Sequence, residues 1–502
     1  MLHNNSPLID RDDEGQRLRD LMATGKPQLA LMYGRRRVGK TFLLNRVWGD
    51  TPAFYFTAAE TTPAQNRVAL LHAFAEWSGQ PLHVEDYPTW RSVFRLVLDY
   101  QAPAPFAITL DEFQYLGEDE DGLRGVASEL NAVWEARRPE RPLVLILAGS
   151  SLRLLERLNT GGGPLYGRFA WQCHLKPFSY WHAGQLAGFP ALRDRAMAYG
   201  VFGGTPRYLA AIDKRRSLVE NVQSLMLDAS GEVRDLVRTA LLQEQGLRDI
   251  PKYQAILRAA GEGCTTLNEI AQSAGLEVGT PLRDKLERLG HLGYVGSSRN
   301  FETTSRDPAR FRLTDPALQF FYRFVDPWES AVATQGARAV WEQHVRPHLG
   351  IYMGHVFERV AEEAFYRKQI ALGLPLVRTW GRWKGKDHRR TPTEIDIVAR
   401  LTEGRVLTGA VKWNRTPVGV AVHTHHLDAL RRLSESGVKW AHDAQRQHSP
   451  LLYAAAGGFT PEFRQAAMAS RETVYLWSLD DLYRDESSPR GGDPGDLISV
   501  NV

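Results

Sequence analysis

The stretch LALMYGRRRVGKTFLLNRVW, residues 29–48, decides the fold. Its apolar beginning, Leu29 to Tyr33, is typical of a buried strand, and the apolar residues after Thr41 recur at helical spacing. Between them Gly34 to Thr41 reads G-x-x-x-x-G-K-T, the Walker A pattern in its required setting of strand, loop and helix. Glycine lets such a loop close around a phosphate group without a Cβ clash. The stretch therefore predicts a phosphate-binding loop.

Each residue type in this loop has a chemical reason to be there. Lys40 is expected to reach the β- and γ-phosphates of ATP, and the Thr41 hydroxyl to ligate Mg²⁺. Backbone N–H groups at the start of the following helix add partial positive charge. The predicted nucleotide contacts are Gly34, Arg35, Arg36, Arg37, Val38, Gly39, Lys40, Thr41 and Phe42.

A matching acidic strand follows at residues 106–112, FAITLDE, as a Walker B motif requires. Asp111 is expected to hold Mg²⁺ through its water shell, and Glu112 to polarise the attacking water. These carboxylates favour hydrolysis of the nucleotide over binding alone. A third apolar run, residues 143–148, ends in Gly149-Ser150-Ser151, where a polar side chain at the end of the strand could sense the γ-phosphate. Strands alternating with helical patterns predict a parallel sheet covered on both faces.

Length and composition bound the remaining possibilities. A chain of 502 residues should form about three or four domains. No apolar run approaches the roughly 18 residues of a membrane helix, and the first residues lack the apolar segment of a signal peptide. The two cysteines, Cys173 and Cys264, stand far apart, which favours a cytoplasmic protein without a disulfide framework. The net charge of +4 means that nucleic-acid binding would need local basic patches.

Two arginines after the third apolar run are candidates for nucleotide contacts. Arg168 follows a glycine-rich break, and an arginine there can reach the γ-phosphate of a neighbouring subunit in a homo-oligomer. The alternative is an ordinary surface arginine on a glycine-rich loop. Arg207 begins a helix after the break Gly203 to Pro206, from which a helical lid could touch the nucleotide. The alternative for Arg207 is that it merely follows the Gly and Pro residues that mark the start of a helix.

From residue 251 the pattern predicts three helices and a two-stranded ribbon, a winged helix-turn-helix. The helices are predicted at 253–260, 266–273 and 280–289, with Thr280 as the N-cap of the third, and the strands at 294–295 and 310–313. Basic residues for contacts with double-stranded DNA are Arg283, Lys285, Arg288, Arg299, Arg306, Arg310 and Arg312. The alternative is a winged helix used as a packing module inside the ATPase.

The region after residue 328 predicts another domain. It should contain one long helix at 341–367, an irregular basic and aromatic stretch at 378–390, and strands at 393–399 and 406–413. Residues two apart share a strand face, so Glu394 lies with Asp396, and Ala410 with Lys412. Together with Glu358 on the helix, these residues outline a PD-(D/E)XK nuclease site. Its usual second acid would stand at Ala410, which predicts a degenerate site.

Four motifs together carry a family resemblance: Gly34 to Thr41, Leu110 to Phe113, Leu165 to Arg168 and Gly203 to Leu209. They resemble the archaeal-type ATPase family, a P-loop group close to the AAA+ and STAND ATPases. The C-terminal part resembles a domain of unknown function that is often fused to it, through the motifs Phe311 to Asp315, Phe357-Glu358, Glu394 to Asp396, Lys412-Trp413 and Gly458 to Thr460. The resemblance implies Glu112 as catalytic base, Ser150 as sensor, and Arg168 and Arg207 as finger or sensor residues. It also implies a Glu where this chain has Ala410.

The predicted fold class is α/β: a P-loop NTPase parallel sheet with a helical lid, then a winged helix, then a restriction-endonuclease-like α/β domain. The predicted bounds are 1–160 for the ATPase core, 161–245 for the lid, 246–325 for the winged helix, 326–484 for the nuclease-like domain and 485–502 for a disordered tail. The cluster His423, His425 and His426 lacks metalloprotease spacing, so a solvated or core-edge role is expected.

These patterns predict a Mg²⁺-dependent ATPase whose hydrolysis switches or remodels an attached winged-helix and nuclease-like effector acting on DNA. One alternative is a nucleotide-gated DNA-binding regulator with slow turnover. The other is an ATP-controlled active nuclease in defence or genome maintenance.

Overall fold

The computed structural model describes residues 9–101, 105–136, 142–150, 152–244, 247, 249–303, 307–446 and 449–485. Two predictions, the role of Arg306 and the tail from residue 486, lie outside these residues. The chain forms two compact units. The first comprises residues 9–178 with 205–207 and 244, and the second comprises the remaining described residues. The four predicted domain boundaries stay a prediction.

The first unit is built on a five-stranded parallel sheet with the strand order β2-β3-β4-β1-β5. Its strands are β1 (Gln28–Tyr33), β2 (Ala53–Thr57), β3 (Phe106–Asp111), β4 (Leu143–Gly149) and β5 (Trp171–His174). Its helices are α1 (Asp12–Ala23), α2 (Lys40–Leu44), α3 (Pro63–Ser78), α4 (Trp90–Leu98), α5 (Glu120–Ala136) and α6 (Leu152–Leu158).

The residues of strand β1 show why the sheet of the first unit is covered on both faces. Leu29 and Leu31 enter one buried apolar cluster, whereas Ala30 and Met32 enter the cluster on the opposite side. Both faces are covered, so the strand reads as a continuous apolar run rather than an alternating one. Because all five strands are parallel, the loops after β1, β3 and β4 meet at one edge of the sheet.

The second unit begins with helices. They are α7 (Tyr180–Ala187), α8 (Leu192–Phe202), α9 (Pro206–Leu209, whose first two residues belong to the first unit), α10 (Leu218–Val222), α11 (Glu232–Arg238), α12 (Ile250–Gly261), α13 (Leu267–Ala274) and α14 (Thr280–His291). Strands β6 (Val295–Ser298) and β7 (Arg310–Leu313) then pair as an antiparallel ribbon. Three helices and a ribbon therefore follow in the predicted order. The predicted N-cap was wrong by one residue, because Gly279 holds that position and Thr280 is already helical.

The rest of the second unit contains a mixed five-stranded sheet with the order β12-β11-β10-β9-β8. Its strands are β8 (Val377–Lys386), β9 (Pro392–Leu401), β10 (Val406–Lys412), β11 (Leu451–Ala455) and β12 (Val474–Trp477). Its helices are α15 (Pro316–Phe320), α16 (Glu329–Gln335), α17 (Ala337–Val340), α18 (Leu349–Lys368), α19 (Ala421–Glu435), α20 (Lys439–Arg446), α21 (Pro461–Met468) and α22 (Leu479–Leu482).

Two predictions for this region were wrong. The single helix expected at 341–367 is divided into a π-helical segment, Trp341–Val345, and α18. Pro347 lies in the break, and because proline lacks an N–H group it cannot donate the backbone hydrogen bond that would continue the helix. Residues 378–386 of the stretch expected to be irregular belong to β8, whose register shifts between Val377 and Thr379 and between Gly381 and Trp383 hide the alternation of a strand; residues 387–390 lie outside it.

Within the described residues, no helix is both long enough and apolar enough to cross a membrane.

Candidate nucleotide site

The Walker A loop closes on itself through Lys40. The loop needs two glycines: a Cβ at Gly34 would collide with the Leu175 carbonyl, and Gly39 has φ 97°. Lys40, the first residue of α2, is only 5% exposed. Its ammonium donates hydrogen bonds to the carbonyl oxygens of Gly34 at 2.7 Å and Arg35 at 3.2 Å. Loop carbonyls thus hold the cation at the mouth of the loop.

Burial sets the electrostatics of Lys40. Desolvation lowers the pKa of its ammonium, and the Arg36 guanidinium adds to that lowering. The Glu112 and Asp111 carboxylates act in the opposite direction. A phosphate group next to Lys40 would likewise favour the charged ammonium, because an opposite charge raises the pKa of a cation.

Thr41 and Asp111 come together as oxygen ligands suited to Mg²⁺. The Thr41 hydroxyl donates to Asp111 Oδ2 at 3.0 Å, and the Tyr55 hydroxyl donates to the same oxygen. Asp111 is 2% exposed, and burial together with the Asp111 charge raises the pKa of Tyr55. A hydroxyl, a carboxylate and the phosphates of a bound nucleotide are the oxygen donors that Mg²⁺ takes. The residues present therefore fit the ion predicted for them.

Glu112 follows β3 in a left-handed conformation with φ 52°, which is uncommon for a residue with a side chain. Its Oε2 accepts hydrogen bonds from the Ser150 hydroxyl at 2.8 Å and the Ser150 amide at 3.2 Å. The Gln114 carboxamide also donates to this oxygen and to the Ser150 hydroxyl. The carboxylate is thus held in place by three donors. Sequence reasoning missed Gln114, although its position two residues after Glu112 was the available signal.

A second chain of contacts leaves the phosphate loop through Arg36. Its guanidinium donates to the Tyr115 hydroxyl, and that hydroxyl donates to Glu60 at 3.3 Å. Burial is the main reason why the pKa of Tyr115 is raised. Both Gln114 and Tyr115 belong to the 3-10 turn Phe113–Leu116, directly after Glu112. This turn therefore connects the loop cation to the acidic residues.

Arg11 supports the loop from outside the motif and was not predicted. Its guanidinium donates to the carbonyl oxygens of Val38 at 3.3 Å and Lys176 at 2.6 Å, and it lies over the ring of Phe178. The side chain is buried, so removing it would leave two carbonyls without this donor. Among the other loop residues, Arg37 has φ 72°, and Phe42 lies under the guanidinium of Arg46.

The structure places the two candidate arginines differently. Arg207 belongs to the segment of α9 that packs on the loop, since Pro206 lies 3.8 Å from the position of a Cβ built on Gly39. Arg168 forms an ion pair with Glu135 at 3.3 Å, and its side chain is 39% exposed. Their roles at the nucleotide stay predictions.

The residues of the nuclease-like cluster divide into two groups. Asp396 accepts hydrogen bonds from the Lys412 ammonium at 3.0 Å and from the amide of Val411 at 2.8 Å. Since Gly409 pairs with Ile397 in antiparallel register, Ala410 comes beside Asp396. Within the described residues, no group of three or more His, Cys, Asp or Glu side chains is arranged to hold a metal ion.

The other two acids of this cluster are joined by a cation. The Arg382 guanidinium lies 3.5 Å from Glu358 and 4.0 Å from Glu394. Lys384 also pairs with Glu394 at 3.0 Å, across the β8–β9 ladder. Protein cations therefore face the carboxylates that a metal would need. Sequence reasoning missed Arg382 because β8 was not recognised as a strand.

Two of the three clustered histidines lie in the core, a correction to the expected solvated or core-edge role. His423 hydrogen-bonds to the Tyr453 hydroxyl at 2.8 Å, and His426 to the Thr408 hydroxyl at 3.0 Å. Both are buried. Burial lowers the pKa of His423, and it lowers the pKa of His426 to about 3.

The parallel sheet, its strand order and the Walker A and B motifs at one edge define a P-loop NTPase. Comparison with known proteins extends this assignment. Residues 8–212 match a family model described as an ATPase domain predominantly from Archaea, and residues 321–424 match one described as archaeal and bacterial proteins of unknown function. The chain therefore carries an archaeal-type ATPase domain followed by a domain of that second family.

Individual relatives are distant. An uncharacterized protein of Methanocaldococcus jannaschii, MJECL04, is 24% identical over 420 residues, which is 81% of this chain and 87% of that protein. The Walker-type ATPase PABY2304 of Pyrococcus abyssi is 21% identical, with a TM-score of 0.46 over 63% of this chain and 96% of its own. The ORC2 protein of Aeropyrum pernix, solved in ADPNP–ADP complexes, is 17% identical, with a TM-score of 0.43 over 66% of this chain and 98% of its own.

Proposed function

We propose that the protein is a Mg²⁺-dependent ATPase whose nucleotide cycle switches or remodels the second unit, and that this unit acts on DNA. The observation that carries the ATPase proposal is the meeting of three groups at one sheet edge. These are the Lys40 ammonium, the Thr41–Asp111 oxygen pair and the hydrogen-bonded Glu112 carboxylate. They match the cation, metal ligands and base that phosphoryl transfer to water requires.

Each group has one role in the proposed mechanism. Lys40 neutralises phosphate charge, and the loop amides from Gly34 to Thr41 bind phosphate oxygens. Thr41 and Asp111 hold Mg²⁺, which supplies Lewis-acid stabilisation of charge on the phosphates when it is bound. Glu112 accepts the proton of the attacking water, while Ser150 fixes its position and senses the γ-phosphate. Arg207, on the segment that packs on the loop, is proposed as a further sensor.

For the second unit, we propose nucleic-acid binding without cleavage through the usual two-carboxylate route. The motivating observation is that Ala410 stands beside Asp396, where a methyl group cannot ligate a metal. Glu358 and Glu394 face Arg382 instead. The basic residues of the winged-helix region are suited to phosphate contacts, and so are the basic side chains of β8 and Lys412, although Arg382, Lys384 and Lys412 would have to exchange a carboxylate partner for the phosphate.

This proposal is tested by measuring the steady-state rate at which the protein releases phosphate from ATP in the presence of Mg²⁺, with and without duplex DNA. A measurable rate that duplex DNA stimulates supports an ATPase that remodels DNA. Slow turnover that ignores DNA, together with tight ADP retention, favours the nucleotide-gated regulator. A wild-type protein that neither binds nor hydrolyses ATP would refute the ATPase proposal.

A further inference from the structure

The position of Arg36 in the phosphate loop differs from that of a surface arginine. It lies in the middle of the Walker A stretch, four residues before Lys40. Its guanidinium donates to the hydroxyl of Tyr115, three residues after Glu112. Two cationic side chains of the loop, Lys40 and Arg36, thus lie toward the segment that carries Asp111 and Glu112. The field of Arg36 also reaches the Lys40 ammonium, whose pKa it helps to lower.

One atom of Arg36 is left without a partner. Its Nε is buried and makes no hydrogen bond to any residue that the structure describes. A buried donor left unsatisfied is destabilising, so such an atom requires an explanation. Arginine presents its N–H groups as a planar fork that matches phosphate oxygens, which makes a phosphate group the natural acceptor. Another buried polar atom without a hydrogen-bond partner among the described residues is the Gln114 oxygen, on the residue that holds Glu112.

We propose that Arg36 is a catalytic residue that contacts the γ-phosphate of ATP bound in its own subunit. This inference rests on the proposed ATPase function and deepens it. Arg36 supplies the positive charge that other ATPases take from an arginine of a neighbouring subunit, so hydrolysis does not require assembly. Arg168, the arginine predicted for that role, is paired with Glu135.

Tyr115 and Glu60 are the supports of this arginine. The Tyr115 hydroxyl accepts from Arg36 and donates to Glu60, so within the described residues the partner of the guanidinium is an uncharged hydroxyl rather than a carboxylate. A bond from a guanidinium to an uncharged hydroxyl is weaker than a bond to a phosphate oxygen, in which both partners carry charge and two N–H groups can donate at once. The γ-phosphate can therefore compete for the fork, whereas ADP presents no group at that position.

The dependence on the γ-phosphate gives a sharp test in the full-length protein. Arg36→Ala should lower kcat about 10²–10³-fold, the effect expected when a donor of transition-state charge is removed. It should weaken a non-hydrolysable ATP analogue several-fold and leave ADP affinity unchanged. Unchanged ADP affinity also shows that the variant is folded. Arg36→Lys keeps the charge without the fork and should recover part of kcat. Wild-type specific activity should stay constant on dilution.

Tyr115→Phe is the matched control, because it removes the resting partner of Arg36 and keeps the guanidinium. Its kcat should fall much less than that of Arg36→Ala, because the guanidinium that contacts the γ-phosphate is still present. If both Tyr115→Phe and Arg36→Ala lost ADP affinity as much as ATP-analogue affinity, Arg36 would only stabilise the conformation of the loop. That result would overturn the inference. Full kcat in Arg36→Ala would overturn the inference too. So would wild-type activity that rises more than linearly with protein concentration, together with loss of activity in Arg168→Ala. In each case an active wild type leaves the ATPase proposal standing, whereas an inactive wild type refutes that proposal first.

Discussion

Replacing Glu112 with glutamine separates nucleotide binding from hydrolysis. Glu112 Oε2 accepts hydrogen bonds from the Ser150 hydroxyl, the Ser150 amide and the Gln114 carboxamide. The carboxamide oxygen of Glu112→Gln can accept the same bonds, so the loop after β3 should keep its conformation. What is lost is one negative charge and the ability to accept a proton.

The magnitude follows from these roles. A general base contributes about 10²–10⁴ in rate, which is about 3–5 kcal/mol of activation free energy. ATP affinity should be retained or slightly raised, because the Glu112 charge acts on Lys40 and would repel the phosphates. Lys40→Ala is the contrasting variant, since it removes the ammonium that the loop carbonyls hold. It should abolish nucleotide binding.

The assay pairs calorimetric titration with ATP and single-turnover phosphate release for both variants at the same protein concentration. The expected pattern is tight binding with suppressed turnover in Glu112→Gln, and no binding in Lys40→Ala. Equal loss of ATP affinity in the two variants would refute this division of roles, and so would full turnover in Glu112→Gln.

Three further predictions concern the second unit. Supercoiled and linear DNA should remain uncut when they are incubated with the protein and Mg²⁺ or Mn²⁺, with and without ATP. Metal-dependent cleavage that disappears in Asp396→Ala would contradict this prediction and show that another carboxylate has replaced the acid missing at Ala410. DNA affinity measured by fluorescence anisotropy should fall steeply as salt rises, because phosphate contacts release counterions; a salt-independent affinity would count against phosphate contacts. Since the folded-state pKa of His426 is about 3 and the unfolded value about 6.5, the unfolded chain binds more protons between these values. The contribution of His426 to the free energy of unfolding is therefore fully present above pH 6.5, and it falls below that pH by up to about 1.4 kcal/mol per pH unit. Denaturant unfolding at several pH values measures this dependence. It should be reduced in His426→Gln and unchanged in His425→Gln, the control at an exposed position.

The nucleotide site was largely predictable because its chemistry is local in sequence. Gly34 to Thr41 must be a loop between a strand and a helix, and FAITLDE must be a strand that ends in carboxylates. A parallel sheet then brings the ends of its strands to one edge. These constraints predicted that Lys40, Thr41, Asp111, Glu112 and Ser150 would come together.

The partners of these residues were not predictable in the same way. Arg36 and Tyr115 are 79 positions apart, and no period or spacing connects them. Arg11 reaches Val38 and Lys176 by tertiary packing alone. In the second unit, the register shifts of β8 disturb the two-residue alternation by which a strand is recognised.

The bridge that Arg382 makes between Glu358 and Glu394 also limits how a metal site could be engineered into this cluster. An acid introduced at position 410 would stand beside Asp396, yet two other carboxylates would still be neutralised by the arginine. Removing Arg382 first would leave those two acids without that guanidinium, although Lys384 would remain beside Glu394. Neither single substitution alone rebuilds a metal site. A metal site at this cluster would therefore require at least two coordinated substitutions, one that supplies an acid at position 410 and one that releases the carboxylates from Arg382.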